Sequence, residues 1–316
     1  MNFRNLGNSG LKVSLVGLGC NNFGGRINPE ASRLVIDRAL ELGINFFDTA
    51  DIYGNKGGSE TILGEVLGSR RQDVILATKF GNSMDEARGL QGGSRRYVFK
   101  AVEASLSRLR TDYIDLYQIH RPDPHTPLAE TVRALDDLVR QGKVRYVGLS
   151  NFAPWQIVEA QWLARELGSA FISSQDEFSL LNRDAAGERK EVLRAYGLSL
   201  LPFFPLASGL LTGKYREGQA LPEGARLSKS ENLSSRYLTA RNWQIVGHLD
   251  EFARERGHNL LELAFSWLAS HDFVASVIAG ATKPEQLDMN VQAVNWRLST
   301  EELAALDHIF QNDSTA

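Results

Sequence analysis

Cys20 is the only cysteine in the chain, so no intrachain disulfide can form and the fold does not depend on an oxidising compartment. Histidine is also scarce. His120, His125, His248, His258, His271 and His308 never fall at HxxxH spacing, and with one thiol there is no ligand set for a structural zinc ion. There is no excess of cations either: 35 Lys and Arg stand against 38 Asp and Glu, a formal charge of −3, which offers no basic field to nucleic acid or an anionic membrane. No run approaches the roughly 18 apolar residues of a membrane span. The opening Met1-Asn-Phe-Arg, followed by polar Asn5 to Lys12, lacks the apolar centre of a secretory signal. These absences predict a cytoplasmic protein without metal, nucleic-acid or membrane partner, acting on a small molecule. Nothing marks a subunit interface, so the oligomeric state stays open.

What is present is an ordinary globular balance, 43% hydrophobic and 23% charged over 316 residues, enough to bury a large core. Short apolar runs alternate with longer segments of helical period, the pattern of parallel strands joined by crossover helices. Eight such runs occur: Leu15–Leu18, Ile44–Phe47, Val74–Thr78, Ile114–Ile119, Val144–Leu149, Phe171–Ser174, Leu198–Phe203 and Val274–Ile278. Proline opens several of the intervening helices, at Asn28-Pro29, Thr126-Pro127, Ala153-Pro154 and Lys283-Pro284. Leu128, Val132, Leu135 and Leu138 form one buried stripe, and Val98, Val102, Leu106 and Leu109 another. A hairpin around Gly7-Asn-Ser-Gly10 precedes the first run.

Eight strand-helix units in one unbroken domain, residues 1–316, predict an α/β (β/α)8 barrel capped by the hairpin. A doubly wound dinucleotide fold would carry GxGxxG after its first strand, and Gly17-Leu-Gly19-Cys-Asn-Asn-Phe lacks the third glycine. The interval between the seventh and eighth strands is long, with a polar stretch, Gly213 to Ser235, and helical segments near 239–256 and 259–269. It reads as a lid, or else as a surface insertion.

In such a barrel, chemistry sits where the strands run out. The residues there are Asp48, Lys79, His120, Ser150-Asn151, Gln175 and Gly280-Ala-Thr282, with Tyr53 on the loop after Asp48. Singly, Asp48 reads as a turn former, Lys79 as an edge charge and His120 as a core histidine. Polar groups ending six of the eight apolar strands are poorly explained by packing. A phenol titrates near 10 unaided, so it needs a neighbouring cation to become an acid at neutral pH. Lys79 supplies that cation, Asp48 keeps it charged, and His120 hydrogen-bonds a carbonyl oxygen or relays a proton. The set suits carbonyl reduction.

Phe47-Asp-Thr-Ala-Asp-Ile-Tyr-Gly54, Ala77-Thr-Lys-Phe-Gly81, Gln118-Ile-His-Arg-Pro-Asp123 and Gly148-Leu-Ser-Asn-Phe152 resemble, in that order, the signatures of the aldo-keto reductases, in a bacterial-type member of the potassium-channel β-subunit-like branch. The resemblance implies a barrel that uses NADP(H), or NAD(H), without a Rossmann domain. It makes Tyr53 the general acid, Lys79 the group that tunes it, Asp48 the partner of Lys79, and His120 the carbonyl-orienting residue. It places Ser150, Asn151 and Gln175 at the nicotinamide carboxamide, Phe203 against the nicotinamide ring, and Leu206, Ser208 and Lys214 at the pyrophosphate. Gly19, Asp48, Gly280, Thr282, Lys283, Gln286 and Asn290 complete the implied cofactor contacts. At the adenosine end Met289 replaces a common Glu and Gln286 a common Arg, leaving Lys283 as the cation nearest in sequence for a 2′-phosphate. Phe23, Phe80 and Arg121 adjoin the matched positions and are expected to line the substrate mouth. A carbonyl reductase reversible with an alcohol is the leading reading. The rivals are a cofactor-sensing regulatory subunit with little turnover, a sugar dehydrogenase running oxidatively, and an aldolase with Lys79 as Schiff-base nucleophile.

Overall fold

The computed structural model describes residues 1–312; residues 313–316 of the expected 1–316 unit lie outside them. Strand β1 (Phe3–Asn5) pairs antiparallel with β2 (Lys12–Ser14). Eight parallel strands follow: β3 (Val16–Gly19), β4 (Phe46–Asp48), β5 (Ile75–Phe80), β6 (Ile114–Ile119), β7 (Val144–Ser150), β8 (Phe171–Glu177), β9 (Ser199–Phe203) and β10 (Val277–Gly280). Each strand from β3 to β9 bonds to the next, and β10 pairs back onto β3 with Gly280 opposite Gly19. The seam between β9 and β10 is drawn together at one point, where the Leu200 N–H donates to Phe273 at 2.7 Å and the Ala275 N–H donates to Leu200 at 3.1 Å. This is the expected barrel with its hairpin. The sequence places the last strand at Val274–Ile278; it forms at Val277–Gly280 because Val274 and Ala275 are held across the seam by Leu200 before the chain reaches β3.

Helices α1 (Pro29–Glu41), α2 (Tyr53–Leu67), α3 (Arg95–Leu109), α4 (Leu128–Arg140), α5 (Pro154–Glu166) and α6 (Glu188–Tyr196) occupy the successive crossovers. The proline signals act as expected at α1, where Asn28 caps the Ala31 N–H at 2.9 Å and Pro29 opens the first turn. Between β9 and β10 lie α7 (Glu231–Tyr237), α8 (Ala240–Arg254) and α9 (Leu260–Ser270), and α10 (Pro284–Gln292) and α11 (Thr300–Asn312) follow β10. Among the described residues no helix is long and apolar enough to cross a membrane.

Side chains alternate across each strand, so the barrel has two cores. Phe46, Ala77, Leu116, Leu201 and Ile278 point inward, with Leu6 and Val13 of the hairpin packed among them. Phe47, Leu76, Tyr117, Leu149 and Val277 point outward into the helix layer. That parity positions the site: continuing inward at the strand ends come Gly19, Asp48, Lys79, Gln118 and Ser150.

The outer layer leaves little room where α2 meets the end of α3. A Cβ on Gly64 would overlap the Arg108 carbonyl oxygen and lie 2.7 Å from the Leu109 carbonyl carbon, both backbone atoms. Gly64→Ala therefore lowers the urea midpoint, by an overpacking cost of roughly 1–3 kcal/mol that outweighs the roughly 1 kcal/mol gain in helix propensity. A raised midpoint would show that α3 yields.

Candidate active site

Asp48, buried at the end of β4, accepts three hydrogen bonds. Lys79 Nζ donates to Oδ2 at 2.7 Å, while Gln175 Nε2 and Gln118 Nε2 donate to Oδ1 at 2.8 and 3.1 Å. Lys79 is wholly buried and also donates to the Thr49 carbonyl at 2.9 Å. Its pKa lies above the ordinary lysine value: burial alone would lower it, but Asp48 and the Tyr53 phenol together outweigh burial. The ammonium sits 5.1 Å from the centroid of the Tyr53 ring. A lysine so paired stays protonated, which argues against the Schiff-base aldolase.

Tyr53 begins α2 but is followed by an unusual turn. Gly54, Asn55, Lys56 and Gly57 all have positive φ, 65°, 60°, 67° and 114°, before the regular helix starts. Such a conformation costs non-glycine residues about 1–2 kcal/mol each. Tertiary bonds offset it, with Lys56 Nζ donating to the Met84 carbonyl at 2.7 Å and Asn55 Nδ2 to the Gly24 carbonyl at 3.3 Å. The Tyr53 pKa is raised, because burial of the phenol outweighs the opposing pull of Lys79. The sequence expectation of a net lowering by Lys79 misses this desolvation, and the resting group is a neutral phenol facing a cation.

His120 meets Tyr53 edge to face, centroids 5.8 Å apart. Burial, with the charges of Lys79 and Arg121, lowers its pKa to about 3, so the ring is neutral across the physiological range. Asn82 Nδ2 lies 2.9 Å from His120 Nδ1. An amide N–H donating there leaves the proton of the neutral ring on Nε2, free to donate to a ligand oxygen.

These groups open into a cleft of about 750 Å³. Asp48, Tyr53, His120, Ser150, Asn151, Gln175, Phe203, Leu206, Ser208 and Lys214 line it from the catalytic end outward, and Gly19, Gly280, Thr282, Gln286 and Asn290 line its other reach, with Arg121 at the mouth. Lys79 lies behind the wall. Lys283 does not line the cleft: it is an exposed residue at the N-terminal boundary of α10, its N–H donating to Gln286 Oε1 at 3.3 Å. Phe23 and Phe80 are likewise not at the mouth. Lys79 points inward, so Phe80 must point outward by strand alternation, and it stacks on Tyr117 with centroids 4.8 Å apart. Phe23 sits in the turn that closes on Ile27, its ring wholly within the core between barrel and helices.

Several lining residues escape a reading of strand ends. Phe204 provides an aromatic edge beside Phe203, centroids 5.3 Å apart. Arg226, from the long polar loop, lies 4.9 Å over the Phe204 ring, and Arg26 donates to the Gly224 carbonyl of that loop at 3.3 Å. Arg26, Lys214 and Arg226 have no ion-pair partner among the described residues. Burial first, and Arg26 second, lower the pKa of both Lys214 and Arg226. A polyanion answers that mutual repulsion. The cleft also holds unmet polar capacity: Ser208 Oγ and Asn22 Oδ1 are buried without a partner among the described residues. Gly19 and Gly280 face each other, and a Cβ on Gly280 would stand 3.0 Å from both Asn21 Oδ1 and Asn22 Nδ2. Orphaned acceptors, a glycine cradle and unpaired cations fit an elongated phosphate-bearing cofactor.

Comparison with known proteins agrees with this geometry. The Aldo/keto reductase family model matches residues 15–311. The chain is 37% identical over 320 residues to L-glyceraldehyde 3-phosphate reductase of Escherichia coli (strain K12), covering 97% of this chain and 92% of that protein. It is 38% identical over 305 residues to a probable voltage-gated potassium channel subunit beta of Oryza sativa subsp. japonica, covering 93% and 92%. It is 36% identical over 321 residues to the oxidoreductase YrpG of Bacillus subtilis (strain 168), covering 98% and 96%. The chain belongs to the aldo/keto reductase family, as an oxidoreductase acting on carbonyl and alcohol groups.

Proposed function

We propose that the protein is an NADP(H)-dependent reductase that moves hydride reversibly between the nicotinamide and an aldehyde or ketone, with Tyr53 as proton donor in reduction and acceptor in oxidation. The observation that carries this is the buried Asp48–Lys79 pair, Nζ to Oδ2 2.7 Å, set beside the Tyr53 ring at the inner end of the cleft. Bound nicotinamide supplies the hydride. The remaining work falls to side chains: the Tyr53 hydroxyl gives its proton to the carbonyl oxygen, and the phenolate so formed is stabilised by the buried Lys79 ammonium. His120 Nε2–H donates to the same oxygen and orients it.

Gln175 already donates to Asp48, so its carbonyl oxygen is left to accept from a carboxamide, alongside Ser150 and Asn151. Phe203 offers a face for the ring. Ser208, Lys214 and Arg226 suit a pyrophosphate, with Arg26 adding charge. Thr282, Gln286 and Asn290 remain for the adenosine. Lys214 and Arg226 serve a pyrophosphate that both nicotinamide cofactors carry; with Lys283 off the cleft, Arg26 is the lining cation left for a 2′-phosphate, and the preference for NADP(H) rests on it.

Two measurements test the reading. Purified protein should oxidise NADPH in the presence of glyceraldehyde 3-phosphate or an aromatic aldehyde, faster than NADH at equal concentration. Tight NADPH binding with negligible turnover on every carbonyl would instead support a regulatory role, a reading the likeness to channel β subunits brings. Arg226→Ala should weaken NADPH binding about tenfold to a hundredfold, the loss of one charge-assisted contact. An unchanged dissociation constant would remove Arg226 from the cofactor site.

A further inference from the structure

Asn151, one of the residues that reading sets at the nicotinamide carboxamide, has φ 61°, a left-handed backbone that asparagine visits more readily than other residues with a Cβ but that still needs contacts to hold it as a single conformation. The surroundings are specific. The Asn151 N–H donates to the Gln175 carbonyl at 3.1 Å and to Asp176 Oδ1 at 3.2 Å. The carbonyl of the next residue, Phe152, accepts from Arg189 Nη1 at 2.5 Å. That same Nη1 lies 3.2 Å from Asp176 Oδ1, and the other Asp176 oxygen accepts from Ser174 Oγ at 2.5 Å. The Asn151 side chain, so placed, donates from Nδ2 to the His120 carbonyl and to Ser150 Oγ, both at 3.0 Å.

Asp176 is 4% exposed and faces away from the cleft, on the opposite side of β8 from Gln175, while Arg189 stands in the first turn of α6. Neither lines the cleft. A buried ion pair adds little net stability, since desolvation offsets most of its attraction. Asp176 shows that cost: burial raises its pKa above the ordinary carboxylate value although Arg189, Ser174 and the Asn151 N–H all favour its anion. A pair retained at such a cost has its clearest use in geometry, and here its two ends grip the Asn151 N–H and the Phe152 carbonyl, bracketing the Asn151-Phe152 pair.

We propose that Asp176 and Arg189 are positioning residues, a buried clip that locks Asn151 in its left-handed conformation and so aims its amide, and the His120 backbone it holds, at the nicotinamide end of the cleft. The proposal rests on the cofactor reading above and adds two residues that touch neither cofactor nor substrate.

Calorimetric titration of the full chain with NADPH and with 2′,5′-ADP, which has the adenosine end but no nicotinamide, separates positioning from general damage. Asp176→Ala should weaken NADPH about tenfold and leave 2′,5′-ADP within twofold, whereas Asp176→Asn, whose amide oxygen still accepts the Asn151 N–H, should retain most of the affinity. In an Asn151→Gly background, where the backbone needs no clip and the amide is gone, Asp176→Ala should add no further loss. Should Asp176→Ala fail to fold, Arg189→Lys, which keeps the charge but not the planar fork, is read the same way. Equal weakening of both ligands, unchanged NADPH affinity, or full additivity in the glycine background would each overturn the proposal. A native protein that binds neither ligand would sink the cofactor reading itself, a different failure with a different signature.

Discussion

Tyr53→Phe should reduce the rate of NADPH-dependent aldehyde reduction by about 10³-fold, the scale of a positioned general acid, while leaving NADPH affinity within about twofold. One hydroxyl is removed and the ring remains, so packing against His120 and the cation at 5.1 Å persist. The size of the loss follows from the local electrostatics. In the resting site burial keeps the Tyr53 proton on, against the pull of Lys79. When negative charge develops on the substrate oxygen, the phenol is the one neutral donor backed by a buried cation. His120 cannot substitute as an acid, because its proton-bearing cationic form is suppressed by burial to a pKa of about 3. The reductive rate should accordingly show no histidine titration between pH 5 and 8. A variant retaining more than a tenth of native turnover would mean that water or His120 delivers the proton, and the assignment of Tyr53 would fall.

Much of this site was legible in the sequence because barrel geometry turns a one-dimensional rule into a place. Reading the residue that ends each apolar run yields Asp48, Lys79, His120, Ser150 and Gln175, and these do converge. The same alternation explains one omission and one error of adjacency. Gln118 lies on the inward face of β6 and holds Asp48, yet it was hidden inside a run that reads as apolar. Phe80 follows an inward lysine, so strand parity alone sends it to the core. Asn82, which sets the tautomer of His120, stands only just past β5 and would be found by extending the scan by a turn. Arg26 and Arg226 are different. They lie in polar loops without a period, and their approach to the cleft depends on how the segment after Gly213 folds back over the barrel, for which no local pattern exists. Phe23 is lost to the core by the Phe23–Ile27 turn, equally invisible to periodicity. Asp176 sits next to Gln175 in sequence but works on the opposite face of the strand.

The second large effect lies just outside the reacting groups, at Asp51. This carboxyl is 1% exposed, and Oδ2 has one weak donor, Tyr97 OH at 3.3 Å, while Oδ1 has no partner among the described residues. Glu60, also buried, takes the better partners, Thr78 Oγ1 at 2.6 Å and Arg108 Nε at 2.7 Å. Burial first, and the charge of Glu60 second, push the Asp51 pKa up to about 7. The folded pKa lies above the unfolded one, near 3.9. The native state therefore holds the proton more tightly, and the associated stability is complete below about pH 4 and is lost as pH rises through 7. Three pK units at about 1.4 kcal/mol each amount to about 4 kcal/mol over that window, of which about 3 kcal/mol falls between pH 5 and 8.5. Asp51→Asn has no carboxyl to ionise. Its stability relative to the native protein should thus improve with rising pH, by about 3 kcal/mol in urea unfolding between pH 5 and 8.5, or roughly 5 °C in melting temperature. Every other titrating group is common to both proteins, so the difference isolates this one. Parallel curves across the range would show that Asp51 is ionised in the folded protein throughout, and that Arg108 neutralises both buried acids rather than Glu60 alone.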